Sequence, residues 1–396
     1  MHGETVVDPS LFLINVAVIL IFTKIGGMLS KRLGVPSVLG QVLTGVILGQ
    51  SILGFIKPDI FLEEVGQIGV ILLMFLAGLD TNLHEMRTVG TKSLLVACGG
   101  LLVPFIGGIL ISLAFHMNIH QALLVGTILT ATSVSITVQT LLEMGKLKTP
   151  EGNTVIAAAV IDDVLGIIVL ALVVGAGSNT SFFRLMGLIA LFFVGIILFG
   201  RFIFPYLIDL YAKHDIREGR VTLALACCLF FAWLADKMRV ATIIGAYIMG
   251  LFVGRTKIKK LVGERMEIIG YTFFIPIFFL GIGAKANLQQ INTSSLVFAG
   301  VMVLTAILAK IIGSIIGALI GGFNLRQSYR IGVGMIARGE VALIITSMGF
   351  RKGIIGNDVF SGTILLVLVS SIVTPLLLTA AFKEKPVQKE IPVSGL

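Results

Sequence analysis

The sequence predicts an all-α, polytopic membrane protein of about 13 transmembrane helices, built as two inverted-topology repeats with two crossed discontinuous helices. Three observations carry this expectation. First, hydrophobic residues fill 56% of the 396 positions and charged residues only 13%, with a mean hydropathy of +1.04. A soluble domain is roughly 45–50% apolar and about 25% charged. Second, apolar runs of about 20 residues, enough to cross a bilayer as a helix, recur along the whole chain. Third, one glycine pattern occurs twice. Gly40, Gly45 and Gly49 fall on Gly245, Gly250 and Gly254 at a constant offset of 205, and the same offset carries Gly78, Asn82 and Leu83 onto Gly283, Asn287 and Leu288. The copies are seven spans apart, an odd number, so they run in opposite directions through the membrane. Inverted repeats of this kind meet at a midplane substrate site in many secondary transporters.

The spans are expected at about 10–30, 35–54, 62–80, 91–115, 121–144, 152–175, 182–210, 219–236, 239–254, 265–284, 294–322, 328–350 and 358–382. Met1–Pro9 is polar and acidic and the first apolar run is long, so that run is expected to stay as a span and not to be removed as a signal peptide. Connections are short and imply no domain outside the membrane. The tail from Lys383 to Leu396 is polar. Of the 30 Lys and Arg residues, nineteen fall in loops on one side and seven on the other when spans alternate. This bias puts the N-terminus outside and the C-terminus inside. It also accounts for the net charge of +9 without a nucleic-acid partner. Cys98, Cys227 and Cys228 lie in apolar runs and suggest neither a disulfide framework nor a metal site. His84, His116, His120 and His214 have no ligand spacing, and no phosphate-cradling loop or nucleophilic triad is present. The chain therefore reads as a transporter and not an enzyme, with no cofactor beyond the ions it moves.

The candidate site is organised around Val160-Ile161-Asp162-Asp163-Val164-Leu165-Gly166, two carboxylates inside a run otherwise apolar from Thr154 to Gly175. An Asp at the centre of a membrane helix costs about 2.5–3.5 kcal/mol on insertion scales. Neighbours on a helix stand about 100° apart, so one carboxylate is free to face a pathway while the other faces a partner. Lys310 is that partner. It sits near the middle of the span at 294–322, too deep to reach water by snorkelling. In span 5, Thr130-Ala131-Thr132-Ser133-Val134-Ser135-Ile136-Thr137 places five hydroxyls at mid-membrane depth. The matching span 12 reads Gly332-Val-Gly-Met-Ile-Ala-Arg338-Gly339-Glu340. Small and hydroxylated residues are where a membrane helix unwinds. Freed carbonyls with the Thr132 and Ser133 hydroxyls suit a small hard cation; Ser and Thr also commonly back-bond within their own helix. Arg338 and Glu340 are expected to pair with each other or to neutralise a half-helix end. Asp80 reads as a cap or pore-mouth group, Lys24 and Arg201 as snorkelling cations, and Gln41 as an interface hydrogen bond.

These residues define a cycle. Removal from water disfavours every charge at the site, so a cation arriving at the open carboxylate displaces a proton. The same cation competes with Lys310 for the paired one. Cation and protons occupy the site in turn, and competition with alternating access yields antiport.

Ala131-Thr132-Ser133, Val160-Ile161-Asp162-Asp163, the deep Lys310 and Ala337-Arg338-Gly339-Glu340 together resemble the bacterial sodium/proton antiporters of the monovalent cation:proton antiporter superfamily, in its paired-aspartate, electrogenic branch of the NapA and GerN type. The resemblance runs nearly the whole chain. It implies an NhaA-like antiporter fold in a homodimer in the bacterial plasma membrane, with a core that moves against a dimerisation scaffold. Carried onto this chain, it makes Asp163 the main cation and proton carrier and Asp162 the partner of Lys310, with sodium held by Asp163, Asp162 and Thr132 beside Ser133. The scaffold would be 1–90 and 217–290, the core 91–181 and 291–382, the linker 182–216 and the cytoplasmic tail 383–396. Kef-type potassium efflux proteins are relatives, but they usually lack the second Asp and carry a cytosolic nucleotide-binding domain. Span 5 departs from some relatives in having Ser135 where they have glycine. Potassium-coupled exchange is the nearest alternative, and an ion-gated receptor or channel component is a further one.

Overall fold

A computed structural model of the chain describes residues 9–56, 60–81, 83–174, 179–213, 218–285 and 293–383. Among these residues all regular structure is helical. The helices are α1 (Pro9–Arg32), α2 (Ser37–Leu48), α3 (Ile60–Asp80), α4 (Leu83–Ala114), α5 (Ile119–Thr130), α6 (Val134–Glu143), α7 (Pro150–Val174), α8 (Asn179–Leu198), α9 (Phe204–Lys213), α10 (Gly219–Lys237), α11 (Thr242–Val253), α12 (Lys259–Ile269), α13 (Ile275–Ala284), α14 (Thr293–Ile320), α15 (Leu325–Gly334), α16 (Glu340–Arg351) and α17 (Asn357–Phe382). One π turn, Phe199–Ile203, joins α8 to α9, and another, Gly270–Phe274, joins α12 to α13.

Ten segments among the described residues are long and apolar enough to cross a membrane, and three shorter apolar helices accompany them. The sequence-based spans are corrected in two ways. Spans 2 and 9 shrink to α2 and α11, each 12 residues long. Pro36 and the extended Gly49 bound α2, and Arg239, at φ 62, ends the turn that leads to α11. Twelve residues rise only about 18 Å, so the rest of each crossing depends on neighbouring segments. The spans at 121–144 and 328–350 are each two half-helices, broken where the hydroxyl-rich and glycine-rich stretches were expected to unwind. Those at 91–115 and 265–284 start earlier, at Leu83 and Lys259, because their polar lead-in residues continue the helix beyond the apolar stretch. Asn82, Asn287 and Leu288 of the repeat pattern lie outside the described residues.

Helix faces follow burial. On α14, Leu304, Leu308, Ile312 and Ile316 recur every four residues and are exposed, while Ala299, Met302, Ala306, Lys310 and Ser314 on the opposite side are fully buried. The exposed stripe is apolar, and the buried stripe carries the one cation of this helix. Helix α4 packs along this buried stripe, with Gly99 against the Gly313 backbone.

The repeated glycines permit backbone contact. A Cβ at Gly45 would stand 2.0 Å from the Leu280 carbonyl oxygen, and one at Gly250 would stand 2.1 Å from that of Phe75. In return, Gly283 faces the Val42 carbonyl and Gly78 that of Tyr247. Each residue of the second contact is related to one of the first by 205 positions, so α2 meets α13 as α11 meets α3. Gly250→Leu forces the two backbones apart and is expected to destabilise the protein by about 1–3 kcal/mol or more. A fall in the thermal transition measured in detergent checks this, and an unchanged transition contradicts the packing.

Candidate cation and proton site

Two helices stop in mid-fold and their broken ends touch. An Asn118 capping box with Gln121 starts α5, and an Asn324 capping box with Gln327 starts α15. Each half-helix then ends in extended or irregular backbone. The first break is Ala131–Ser133, and the second runs from Met335 to Gly339. The Ser133 amide donates to the Ala337 carbonyl at 2.7 Å. Thr137 Oγ1 on α6 donates to the Gly334 carbonyl at 2.8 Å. The close approach requires glycine at 339, where a Cβ would meet Ser133 Oγ at 2.7 Å.

The last carbonyls of α5 have no backbone partner within their own helix. They carry the negative end of its dipole, and two cations take them up. Lys310 Nζ and Arg338 Nη1 each donate to the Thr130 carbonyl at 3.0 Å. Arg338 Nη1 also donates to the Ala131 carbonyl, and its Nη2 to the Ala306 carbonyl at 3.3 Å. Ser370 Oγ on α17 accepts the Arg338 amide at 3.1 Å. Arg338 thus neutralises a half-helix end, one of the two roles expected for it. Glu340 opens α16, and its side chain lies outside the described residues.

Helix α7 brings the carboxylates to this crossing. Lys310 Nζ lies 2.8 Å from Asp162 Oδ2, with both side chains almost wholly buried. Thr132 Oγ1, from the first break, donates to the same oxygen at 2.5 Å. Asp163 is buried one residue farther along α7. Asp162 Oδ1, Ser133 Oγ and Ser135 Oγ are buried and make no hydrogen bond to a described protein atom. Buried oxygens normally have partners, and a carboxylate with hydroxyls is the donor set a hard cation takes. Among the described residues, no cluster of three His, Cys, Asp or Glu forms a metal site.

Gly100 on α4 makes room for Ser314: a Cβ there would fall 2.8 Å from Ser314 Oγ, and in ordinary contact, 3.5 Å, with the Lys310 Nζ. Sequence reasoning missed Gly100, the Thr130 carbonyl and Ser370. Only the capping boxes, an Asn-x-x-Gln pair in each half, could have been found by inspection. Lys24, which is exposed, donates to the Tyr271 carbonyl of the π turn at 2.8 Å. Asp80 pairs with Lys148 at 3.3 Å. Arg201 lies over the Phe202 ring.

Residues 17–384 match the family described as sodium/hydrogen exchanger, transmembrane. The chain belongs to the sodium/hydrogen exchanger family. This exchanger is 38% identical to the Na(+)/H(+)-K(+) antiporter GerN of Bacillus cereus, over 94% of this chain and 97% of that protein. It is 40% identical to the probable Na(+)/H(+) antiporter GerT of the same organism, over 94% and 100% respectively. It is 37% identical to a Na(+)/H(+) antiporter of Enterococcus hirae, over 91% and 95%. Its fold resembles that of the sodium proton antiporter MjNhaP1 of Methanocaldococcus jannaschii, with a TM-score of 0.71 over 94% of this chain and 96% of that one, at 17% identity.

Proposed function

We propose that this exchanger moves sodium ions and protons in opposite directions across a bacterial plasma membrane. The observation that carries the reading is the buried Lys310–Asp162 pair at the crossing of two broken helices, with a second carboxylate, Asp163, beside it. Sodium is taken up by Asp163 and Asp162 with Thr132 and Ser133. Its arrival displaces the proton from Asp163 and loosens Asp162 from Lys310, so charge and protons are exchanged in one electrogenic step. The relatives' names, which specify Na(+)/H(+) exchange, support this reading.

The ten long segments and three short apolar helices support thirteen crossings, and the Lys and Arg bias supports an external N-terminus and an internal C-terminus. The reciprocal glycine contacts support two inverted repeats. The moving core is 91–181 with 291–382. The scaffold, 1–90 with 217–290, forms a homodimer, with 182–216 linking the halves and 383–396 as a cytoplasmic tail. Exchange follows from an elevator-like shift of core against scaffold.

The deciding experiment places purified protein in liposomes with an internal pH dye and imposes gradients of sodium, lithium or potassium in turn. Sodium-driven alkalinisation or acidification that reverses with the gradient is expected. Silence with all three ions removes antiport from consideration. A response to potassium equal to that with sodium favours a second reading, mixed exchange, which the name of GerN motivates. Thr132→Val keeps the side-chain volume but removes the hydroxyl that holds Asp162. A hydrogen bond to a charged group is worth about 1.5–3 kcal/mol, so the apparent KM for sodium should rise at least about tenfold in the same assay.

A further inference from the structure

We propose that the Glu143 carboxylate is a conformational latch: it caps the first turn of α2 and holds one end of the core–scaffold boundary closed, an inference resting on the two-body exchange proposed above. Glu143 is the last residue of α6, and Ser37 is the first of α2. Glu143 Oε2 accepts the Ser37 amide at 2.6 Å. Its Oε1 accepts the Ser37 hydroxyl and, at 2.6 Å, Gln139 Nε2. The residue before α2 is Pro36, and it makes no side-chain cap. The cap is therefore supplied by a carboxylate from another helix, where helix dipole and charge-assisted bonding act together.

The same stretch makes two more bonds across the boundary. Tyr271, in the π turn before α13, donates its hydroxyl to Gln139 Oε1 at 3.1 Å. Lys148, just beyond α6, pairs with Asp80 at the end of α3 at 3.3 Å. Residues 139–148 thus hold three separate scaffold segments at one end of the fold. The other end differs. Glu63, in the first turn of α3 and about 25 Å from Asp80 along the helix, lines a cavity of about 210 Å³. Lys285 shares its scaffold side, and Leu343, Phe360 and Ile364 form the core side. One boundary is closed by hydrogen bonds at one end and open at the other.

Moving α6 away from α2 strips the cap from Ser37 and bares the Glu143 charge. The latch therefore favours the conformation described here through bonds that the alternate one lacks.

Labelling in liposomes tests this. Ile364→Cys is placed in a background with Cys98, Cys227 and Cys228 replaced by alanine, and its reaction with an impermeant maleimide from the cavity side is timed. Glu143→Ala should slow labelling about tenfold as the alternate state gains population. Ser37→Ala, which keeps the amide bond, should slow it less, and it also serves if Glu143→Ala does not fold. Unchanged labelling in both variants overturns the latch. A bis-maleimide joining Ser37→Cys to Glu143→Cys should stop exchange, separating the two ideas. Blocked exchange with unchanged labelling rejects the latch alone. Full exchange through the linked pair rejects the two-body movement as well.

Discussion

Asp163→Asn is expected to abolish cation-coupled proton movement while leaving the fold intact. Asn fills the same volume, so packing around α7 changes little. What disappears is a charge at a buried position, 5% exposed. A monovalent cation entering such a place sheds much of its hydration, and in a dry interior an isolated charge costs several kcal/mol even after relaxation. One carboxylate must then balance both Lys310 and the entering ion. Each 1.4 kcal/mol of lost ion binding costs a factor of about ten, so a loss of about 4 kcal/mol puts exchange near a thousandth of the original rate. The proposed proton carrier is lost with the same substitution. The measurement is the initial rate of the internal dye signal under a sodium gradient, read beside the thermal transition in detergent. Wild-type exchange in Asp163→Asn would move the carrier elsewhere.

Lys310→Ala is expected to fail differently. It leaves Asp162 as a buried carboxylate holding only the Thr132 hydroxyl, and breaking a buried pair by removing one partner costs about 3–5 kcal/mol. The Thr130 carbonyl keeps Arg338, so the crossing itself is retained. The thermal transition should fall, and residual exchange should lose its dependence on an imposed membrane potential, because the entering cation no longer displaces the Lys310 ammonium from Asp162. A second substitution sharpens this. Asp162→Asn combined with Lys310→Gln removes both charges, and it should recover most of the stability lost by either change alone. If Lys310→Ala still moves net charge as the parent does, Lys310 is structural.

Much of the site is written in local sequence. Asp162, Asp163 and Lys310 were found because each lies far from the ends of an apolar run, and the cost of placing a charge there depends on depth, which is counted along the chain. Thr132 and Ser133 were found because five hydroxyls crowd eight mid-membrane residues, Thr130 to Thr137. Arg338 was located but its partners were not. They are the carbonyls of Thr130, Ala131 and Ala306, backbone groups that every residue carries and no sequence pattern marks. The same holds for Gly100, which matters because Ser314 from another helix lies against it.

The sequence by itself determined that this chain crosses a membrane many times, that two hydroxyl- or glycine-rich stretches interrupt their helices, and that two acids and a lysine lie deep. These follow from hydropathy and helix periodicity, which are local. Only the tertiary structure decided that Lys310 lies 2.8 Å from Asp162, that Lys310 and Arg338 share one carbonyl, and that α2 and α11 span only 12 residues each. Those depend on which broken helix end meets which side chain, and in a chain this apolar the choice is set by close packing and by satisfying freed backbone groups, not by hydrophobicity.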